Sequence, residues 1–458
     1  MKRNEIIQEL LKYYKEEYEF KLTDSNSLFE CEQNLLAFLI DKGMKMMQLI
    51  FDEAGTDYQG REIKVKEIEY IFNDNVLQTI HGLFGPITYK RSYYLRKDKE
   101  KGSYTPLDEK LGIQKKHTPA CNYFLTLHTG KNVYQESLDH FHEIFRPSGI
   151  NLISMRKAED MDKELGEKIE VIKQDEIKKI NEGKETEIQK ENVIKNIMAV
   201  SIDGTGIPHK LNPKIDKNGK KTYEIKCREA KSAAISSISW DEIKKEAHCK
   251  NTTYVSAMED PDKVFERIYV EMTRRCSNLD EMFVVFLGDG AKWIYDRAIT
   301  IFPKNQCVFI LDFYHADERL NISIKTIYGE GTEKAKAQYD DLSSKMYNGQ
   351  IKSVIEELKE NLKYVKKKEN RKIIEGNINY FIPRIDQMNY VEYRKKRYPI
   401  GSGTIESACK NVIGGRFKQG GMHWAKGSSD AMLQIRCSIK SGRFYDDFKD
   451  TLALKKAA

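Results

Sequence analysis

Nowhere in the 458 residues does an apolar run approach the roughly 20 that span a bilayer, so a membrane protein built on helices is not expected. The opening residues Met1-Lys2-Arg3-Asn4-Glu5 lead into an amphipathic stretch and not into the apolar core of a secretion signal. A cytoplasmic protein, nucleoid-associated when bound to its partner, is expected. Paired cysteines are also missing. The eight cysteines are Cys31, Cys121, Cys227, Cys249, Cys276, Cys307, Cys409 and Cys437, scattered and without a CxxC pair. That excludes a zinc ribbon and a disulfide framework and leaves reduced thiols as the plain reading. Cys121, His128, His140 and His142 do not have ligand spacing either. No internal repeat is evident.

Charge of one sign is scarce overall but concentrated in one place. The formal net charge is only +7, with a pI near 8.7. From Arg394 to Arg443, however, there are 11 Lys or Arg against two acids, Glu406 and Asp430. Such a local excess suits a polyphosphate partner, because neutralising phosphates releases counterions; the alternative is a solvated basic face.

Hydrophobic periodicity divides the chain into segments at 1–56, 57–115, 116–195, 196–329, 330–392 and 393–458. The first reads as helix, with Leu28, Leu35, Leu36, Phe38, Leu39, Met44, Met47 and Leu49 on a broad apolar face. The second reads as strands, Leu77–His81 and Ile87–Leu95 flanking Gly82-Leu-Phe-Gly-Pro86 as a hairpin. The third is helical. Within it Val133 to Lys157 reads helix, turn at Pro147-Ser-Gly149, helix. A helix-turn-helix would offer Ser154, Arg156 and Lys157 to a DNA groove, although two helices around a glycine are common. Residues 159–195 read as a solvated linking helix.

From residue 196 apolar strands appear. Ile197–Asp203 is a buried strand ending in an acid, followed by strands at Thr222–Lys226, Ala233–Ser239 and Thr252–Ala257. A helix from Pro261, a strand at Met282–Asp289, a helix from Ala291 and a strand at Gln306–Asp312 complete the segment. Antiparallel strands first and parallel αβ crossovers later is the order of an RNase H-like core. Residues 330–392 read as a helical insertion, and 393–458 as the last part of that core. The expected fold is therefore α/β: an RNase H-like catalytic core with a helical insertion, preceded by a mostly helical DNA-binding region with a β-hairpin.

Three acids stand out. Asp203 in Ser-Ile-Asp-Gly-Thr-Gly206 and Asp289 in Phe-Leu-Gly-Asp-Gly-Ala-Lys-Trp293 follow apolar strands, where a rigid backbone fixes a carboxylate and glycine admits a bulky ligand. An Asp before Gly also starts turns. Glu406 lies in Pro399-Ile-Gly-Ser-Gly-Thr-Ile-Glu-Ser-Ala-Cys-Lys410, on a helix that could equally pair it with Lys410 four residues on. Together the three would offer hard oxygen ligands to two divalent ions, Mg²⁺ or Mn²⁺. Two such ions activate the attacking oxygen and stabilise the leaving one in phosphodiester transfer. After Glu406, the residues Lys410, Arg416 and Lys418 among glycines, with Trp424, could meet phosphates and stack on a base; packing is the other reading for Trp424. Trp293 reads as a packing anchor.

Asp312-Phe-Tyr-His-Ala-Asp-Glu-Arg-Leu320 spaces Asp312 and His315 like the C/D(2)H motif of Mutator-like DDE transposases. IDGTG, GDGAKWI, LDFYHADERL and YPIGSGTIESACKNVIGGRFKQGGMHW resemble bacterial insertion-sequence transposases of that superfamily, the Kra type in particular. GLFGPITYKRSYYL and Tyr104–Gly112 are similar to that group's N-terminal half. The resemblance implies that Asp203, Asp289 and Glu406 are the D, D and E, and that Asp312 and His315 are the accessory pair. It further implies binding of terminal inverted repeats and target DNA, metal-dependent strand cleavage and transfer, and assembly as a dimer or higher oligomer. The competing readings are an RNase H-fold nuclease or resolvase without strand transfer, and a catalytically silent DNA-binding descendant.

Overall fold

The computed structural model describes residues 27–98, 100–113, 116–145, 153–182, 197–217, 219–275, 281–303, 305–401, 403 and 409–457. They form two compact units: Met1–Leu165 with Tyr445–Ala458, and Gly166–Phe444. The chain is mixed α/β, with helices and two separate sheets. Among the described residues no helix is long and apolar enough to cross a membrane.

The first unit opens on α1 (Leu28–Ala54), capped by Ser27, whose hydroxyl accepts from Glu30 N at 3.2 Å. Strands β1 (Glu62–Val65), β2 (Ile68–Gly82), β3 (Gly85–Arg96) and β4 (Ser103–Tyr104) follow as an antiparallel sheet in chain order. Gly82 pairs with Gly85, so the hairpin turns at Leu83-Phe84, with Gly85 at φ +135°. Phe51 of α1 packs with Ile80, Ile87 and Tyr89 of the sheet. Helices α2 (Pro106–Leu111), α3 (Pro119–Lys131) and α4 (Tyr134–Phe145) come next, then α5 (Met155–Asn181), which crosses from one unit into the other. The closing helix Phe444–Ala457 returns to this unit, where Tyr445 and Phe448 pack edge-on against Tyr123.

Two expectations change here. The second helix of the helix-turn-helix begins at Met155 and not at Asn151, and continues to Asn181; the turn at Pro147–Gly149 lies outside the described residues. Nor is the segment after residue 159 uniformly solvated. Ala158, Met161, Leu165, Ile169 and Ile177 recur at helical spacing and are buried, so α5 carries a core-facing stripe beneath its Lys and Glu surface.

The second unit is built on a five-stranded sheet, β7-β6-β5-β8-β9. Its strands are β5 (Ile197–Ile215), β6 (Lys221–Asp241), β7 (Glu246–Met258), β8 (Phe283–Gly288) and β9 (Cys307–Leu311). β5, β6 and β7 pair antiparallel, whereas β8 and β9 run parallel to β5 through crossovers made by α6 (Pro261–Arg275) and α7 (Lys292–Ile301). Alternation sorts the central strands between two cores. Met198, Val200, Ile202, Val284 and Phe286 face α6 and α7, while Ala199, Val285 and Leu287 face the opposite side. That side is covered by α8 (Phe313–Tyr328), α9 (Glu333–Tyr347), α10 (Ile351–Leu362), α11 (Lys368–Phe381) and α12 (Tyr390–Lys395). A sheet covered on both faces explains why these strands read as continuous apolar runs.

Asp203 does not end its strand, as the sequence suggested; β5 continues twelve residues further to Ile215, and the stretches at 222–226 and 233–239 are one strand, β6. Pro208 does not interrupt the β5–β6 ladder. Its carbonyl accepts from Trp424 N at 2.9 Å on the outer edge, and its missing N–H points to that same edge, away from β6. A π-helical turn (Cys409–Gly414), a short helix (Gly415–Phe417) and α13 (Ser428–Lys440) complete the unit. Gly166 on α5 lies so close to α13 that a Cβ there would collide with the backbone of Ala431.

Candidate functional site

β5 and β8 are in parallel register, with Ser201 opposite Leu287. Asp203 lies two residues further along β5, and Asp289 two residues past Leu287, just beyond the end of β8. The alternation along β5 puts Asp203 on the face of Ala199, and Asp289 follows where β8 runs out beside it. Parallel neighbours lie about 4.8 Å apart, close enough for the carboxylates to sense each other. The electrostatics agree. Asp203 is half-buried, and its carboxyl is raised above the ordinary range by burial first and by ionised Asp289 as well. The Gly204 N–H (2.7 Å to Oδ1), the Cys409 thiol and His315 pull the other way.

Cys409 was not anticipated. Its thiol hydrogen-bonds to Asp203 and is pushed up to about 12, by burial and then by the Asp203 charge, so it serves Asp203 as a protonated donor. Lys418 opposes that shift and reaches Thr205 Oγ1, two residues along β5 from the acid, so its ammonium stands beside Cys409 and Thr205. Lys418 is exposed, as is Lys410.

Asp289 is exposed and accepts from Ala291 N at 2.9 Å. Its loop is fixed from the helical layer. Tyr380 Oη donates to the Asp289 carbonyl at 2.5 Å, and Arg384 forks onto the Gly290 carbonyl through Nε (2.9 Å) and Nη2 (2.6 Å). Gly290 takes φ +79°, and a Cβ there would strike Arg384, so glycine is required on both counts. The Tyr380 ring lies between the guanidinium groups of Arg319 (4.0 Å) and Arg384 (4.3 Å). Burial raises the Tyr380 phenol despite those two cations, which keeps it a donor. Tyr380 is 91 residues from Asp289, and no local pattern announces the pairing.

Asp312 is buried and caps α8: its Oδ1 accepts from Tyr314 N (2.7 Å) and His315 N (3.1 Å). Its own N–H donates to the Gly288 carbonyl at 2.9 Å, tying the end of β9 to the strand that leads into Asp289. His315 is exposed on the first turn of α8, near enough to Asp203 to pull its carboxyl down. Glu406 lies outside the described residues, between Gly403 and Cys409. Among the described residues no three His, Cys, Asp or Glu side chains are grouped to hold a metal ion.

The remaining candidates are dispersed. Arg416 and Trp424 are buried, and the two stack on each other at 4.9 Å. Trp424 also packs on Phe417 and donates to its carbonyl at 3.3 Å, so its ring is used for packing and is not open to a base. In the first unit Ser154 and Arg156 are exposed at the start of α5, whereas Lys157 is half-buried, its ammonium lowered by burial and by Lys116. The seven described cysteines are free. Trp293 is half-buried and meets Phe265 edge-on, with Lys231 Nζ 4.5 Å above its ring.

Residues 22–122 are similar to an uncharacterised protein family, UPF0236. The match covers well under half of the chain. No curated protein matches it.

Proposed function

We propose that the chain is a Mutator-like DDE transposase: a DNA-binding enzyme with an RNase H-like core that cleaves the ends of an insertion sequence and joins them to target DNA. The observation that carries the reading is the proximity of Asp203 on β5 to Asp289 just past the end of the adjacent parallel strand β8, close enough for Asp289 to raise the Asp203 carboxyl. A half-buried carboxyl raised by a second carboxylate suits a hard divalent cation, so this donor set fits Mg²⁺ or Mn²⁺. The third ligand of the proposal, Glu406, is three residues from Cys409, whose thiol touches Asp203.

Two bound ions would activate the attacking oxygen and stabilise the leaving oxygen of a phosphodiester. The chain's own part is positioning. Gly204 N–H and Cys409 hold the Asp203 carboxylate, while Tyr380 and Arg384 hold the loop that presents Asp289. Lys418 adds positive charge where a phosphate chain would approach. Exposed Ser154 and Arg156 remain available to duplex DNA on the first unit.

The test uses duplexes cut from the two ends of the DNA element that carries the coding sequence, with Mg²⁺ and a target plasmid. Asp203→Asn, Asp289→Asn and Glu406→Gln should each abolish cleavage and joining while leaving duplex binding within about threefold of wild type. Full activity in any of the three sinks the assignment of that acid. Cleavage without joined product would favour the nuclease.

A further inference from the structure

Strands β5 and β6 outgrow the sheet they belong to. β8 stops pairing with β5 at Ser201 and β7 pairs with β6 only from Ala230, yet β5 and β6 remain paired out to Ile215 and Lys221. Every described residue from 210 to 226 is exposed or half-buried. The result is a two-stranded ribbon beyond the core. Ribbons of this kind are marginally stable in water by themselves, and this one has a fixed root. His209 is buried with Nε2 2.8 Å from Ser429 Oγ, Trp424 brackets Pro208 and Lys210 through backbone bonds, and Arg228 forks onto Glu259 at 3.0 and 2.9 Å. The tip is closed by the Asp216 carboxylate, which accepts from Lys220 N at 2.8 Å, and by Gly219 at φ +75°.

Six lysines (210, 214, 217, 220, 221 and 226) and two acids, Asp216 and Glu224, lie between Lys210 and Lys226. The two faces of the ribbon differ. Glu224, Lys226 and Arg228 alternate onto one face, and there the cations meet carboxylates: Lys226 with Glu224 at 2.8 Å, Arg228 with Glu259. Lys221, Tyr223 and Ile225 occupy the other, joined by Lys210, which pairs with Ile225. On that face Lys210 and Lys221 stand 5.7 and 5.8 Å from the ring of Tyr223, and neither is ion-paired among the described residues. Tyr223 is 40% exposed, Ile225 46% and Ile215 at the tip 77%.

We propose that residues 210–226 are an arm that enters the major groove of duplex DNA, with Lys210 and Lys221 on backbone phosphates and Tyr223 against the groove between them. The major groove admits a two-stranded β-ribbon, and unpaired cations around an exposed aromatic ring match a polyanion. The arm is the continuation of the strand that carries Asp203. Lys210 is seven residues beyond the acid and Ile215 twelve, or about 23 and 40 Å at strand rise. The arm therefore engages DNA roughly one helical turn from the bond at the acids. It rests on the transposase reading.

The experiment is a fluorescence-anisotropy titration of the full chain, in EDTA, against element-end duplex and scrambled duplex over a range of salt. Lys210→Ala/Lys221→Ala/Tyr223→Ala should bind both duplexes about tenfold more weakly at physiological salt. The slope of log affinity against log salt should become less steep by about two. Lys226→Ala, on the ion-paired face, should change neither. Lys210→Gln/Lys221→Gln, which keeps the tyrosine, should reproduce the slope change if the triple variant folds poorly. Wild-type affinity and slope in a folded charge variant overturn the arm and leave the transposase reading standing. Failure of the wild-type chain to bind any duplex overturns that reading, and the arm with it.

Discussion

Asp203 pays for its position in the language of proton binding. Burial, then the neighbouring Asp289 charge, raises its carboxyl above the ordinary range. Between the unfolded value and that raised one, the folded chain binds more protons than the unfolded chain. The contribution to stability is therefore fully present below the unfolded value and is lost as pH rises through the folded one. Asp203→Asn removes that penalty. In metal-free buffer the variant should melt a few degrees above wild type at neutral pH, with the gap closing toward pH 4. Calorimetry across pH checks this, and a variant that melts lower at neutral pH contradicts it. Mg²⁺ should raise the melting temperature of wild type and not of the variant. At this scale the sequence was informative where one residue sits at the end of an apolar alternation, as Asp203 and Asp289 do. It was silent about Cys409, Tyr380 and Arg384, because their meaning lies in contacts with residues far along the chain. It misled at Arg416 and Trp424, where composition suggested a nucleic-acid surface and burial has turned both inward.

Elements carry the next set of constraints. The crossing of α5 and α13 depends on Gly166, whose Cα approaches the Ala431 backbone without room for a side chain. Gly166→Val should cost about 1–3 kcal/mol in chemical denaturation, since the helices must separate or distort. α6 has a buried charge, Glu271, hydrogen-bonded to both terminal nitrogens of Arg443 at 2.7 Å and near Arg275 at 3.5 Å. Burial by itself would raise this carboxyl, but Arg443, with Arg274 and Arg275, outweighs it and holds it at about 2. Its contribution is thus present above the ordinary glutamate value and is lost as pH falls through about 2. Glu271→Gln should destabilise by about 3 kcal/mol or more at neutral pH. The deficit should shrink in urea melts carried progressively below pH 4.5. The order of strands and helices in the second unit was legible because apolar strands between two helical layers leave continuous runs. The outer half of β5 was not. Residues 210–215 are exposed or half-buried on both faces, so no burial imposes a period of two. The buried stripe of α5 was concealed for the opposite reason, its four-residue spacing lost in a Lys- and Glu-rich composition.

For the molecule as a whole, chain order and unit membership do not coincide. The second unit is inserted between two parts of the first, and the closing helix packs Tyr445 and Phe448 on Tyr123 while Leu452 meets Gly112. Truncation after Phe444 should therefore expose α3 to hydrogen exchange while the strands β5, β8 and β9 keep their protection. Unchanged protection in α3 would show that the closing helix adds nothing there. No run of sequence predicted this return, since an amphipathic terminal helix does not say which core it completes. The same return sets a schedule for synthesis. On a ribosome, residues 1–165 are made before the inserted unit and residues 445–458 after it, so the first unit waits for that helix. A nascent chain or a prematurely stopped product would thus hold a finished five-stranded sheet while its leading unit lacks one wall. The DNA contact proposed through Ser154 and Arg156 would then wait for residues 445–458, while the acids and the arm would not.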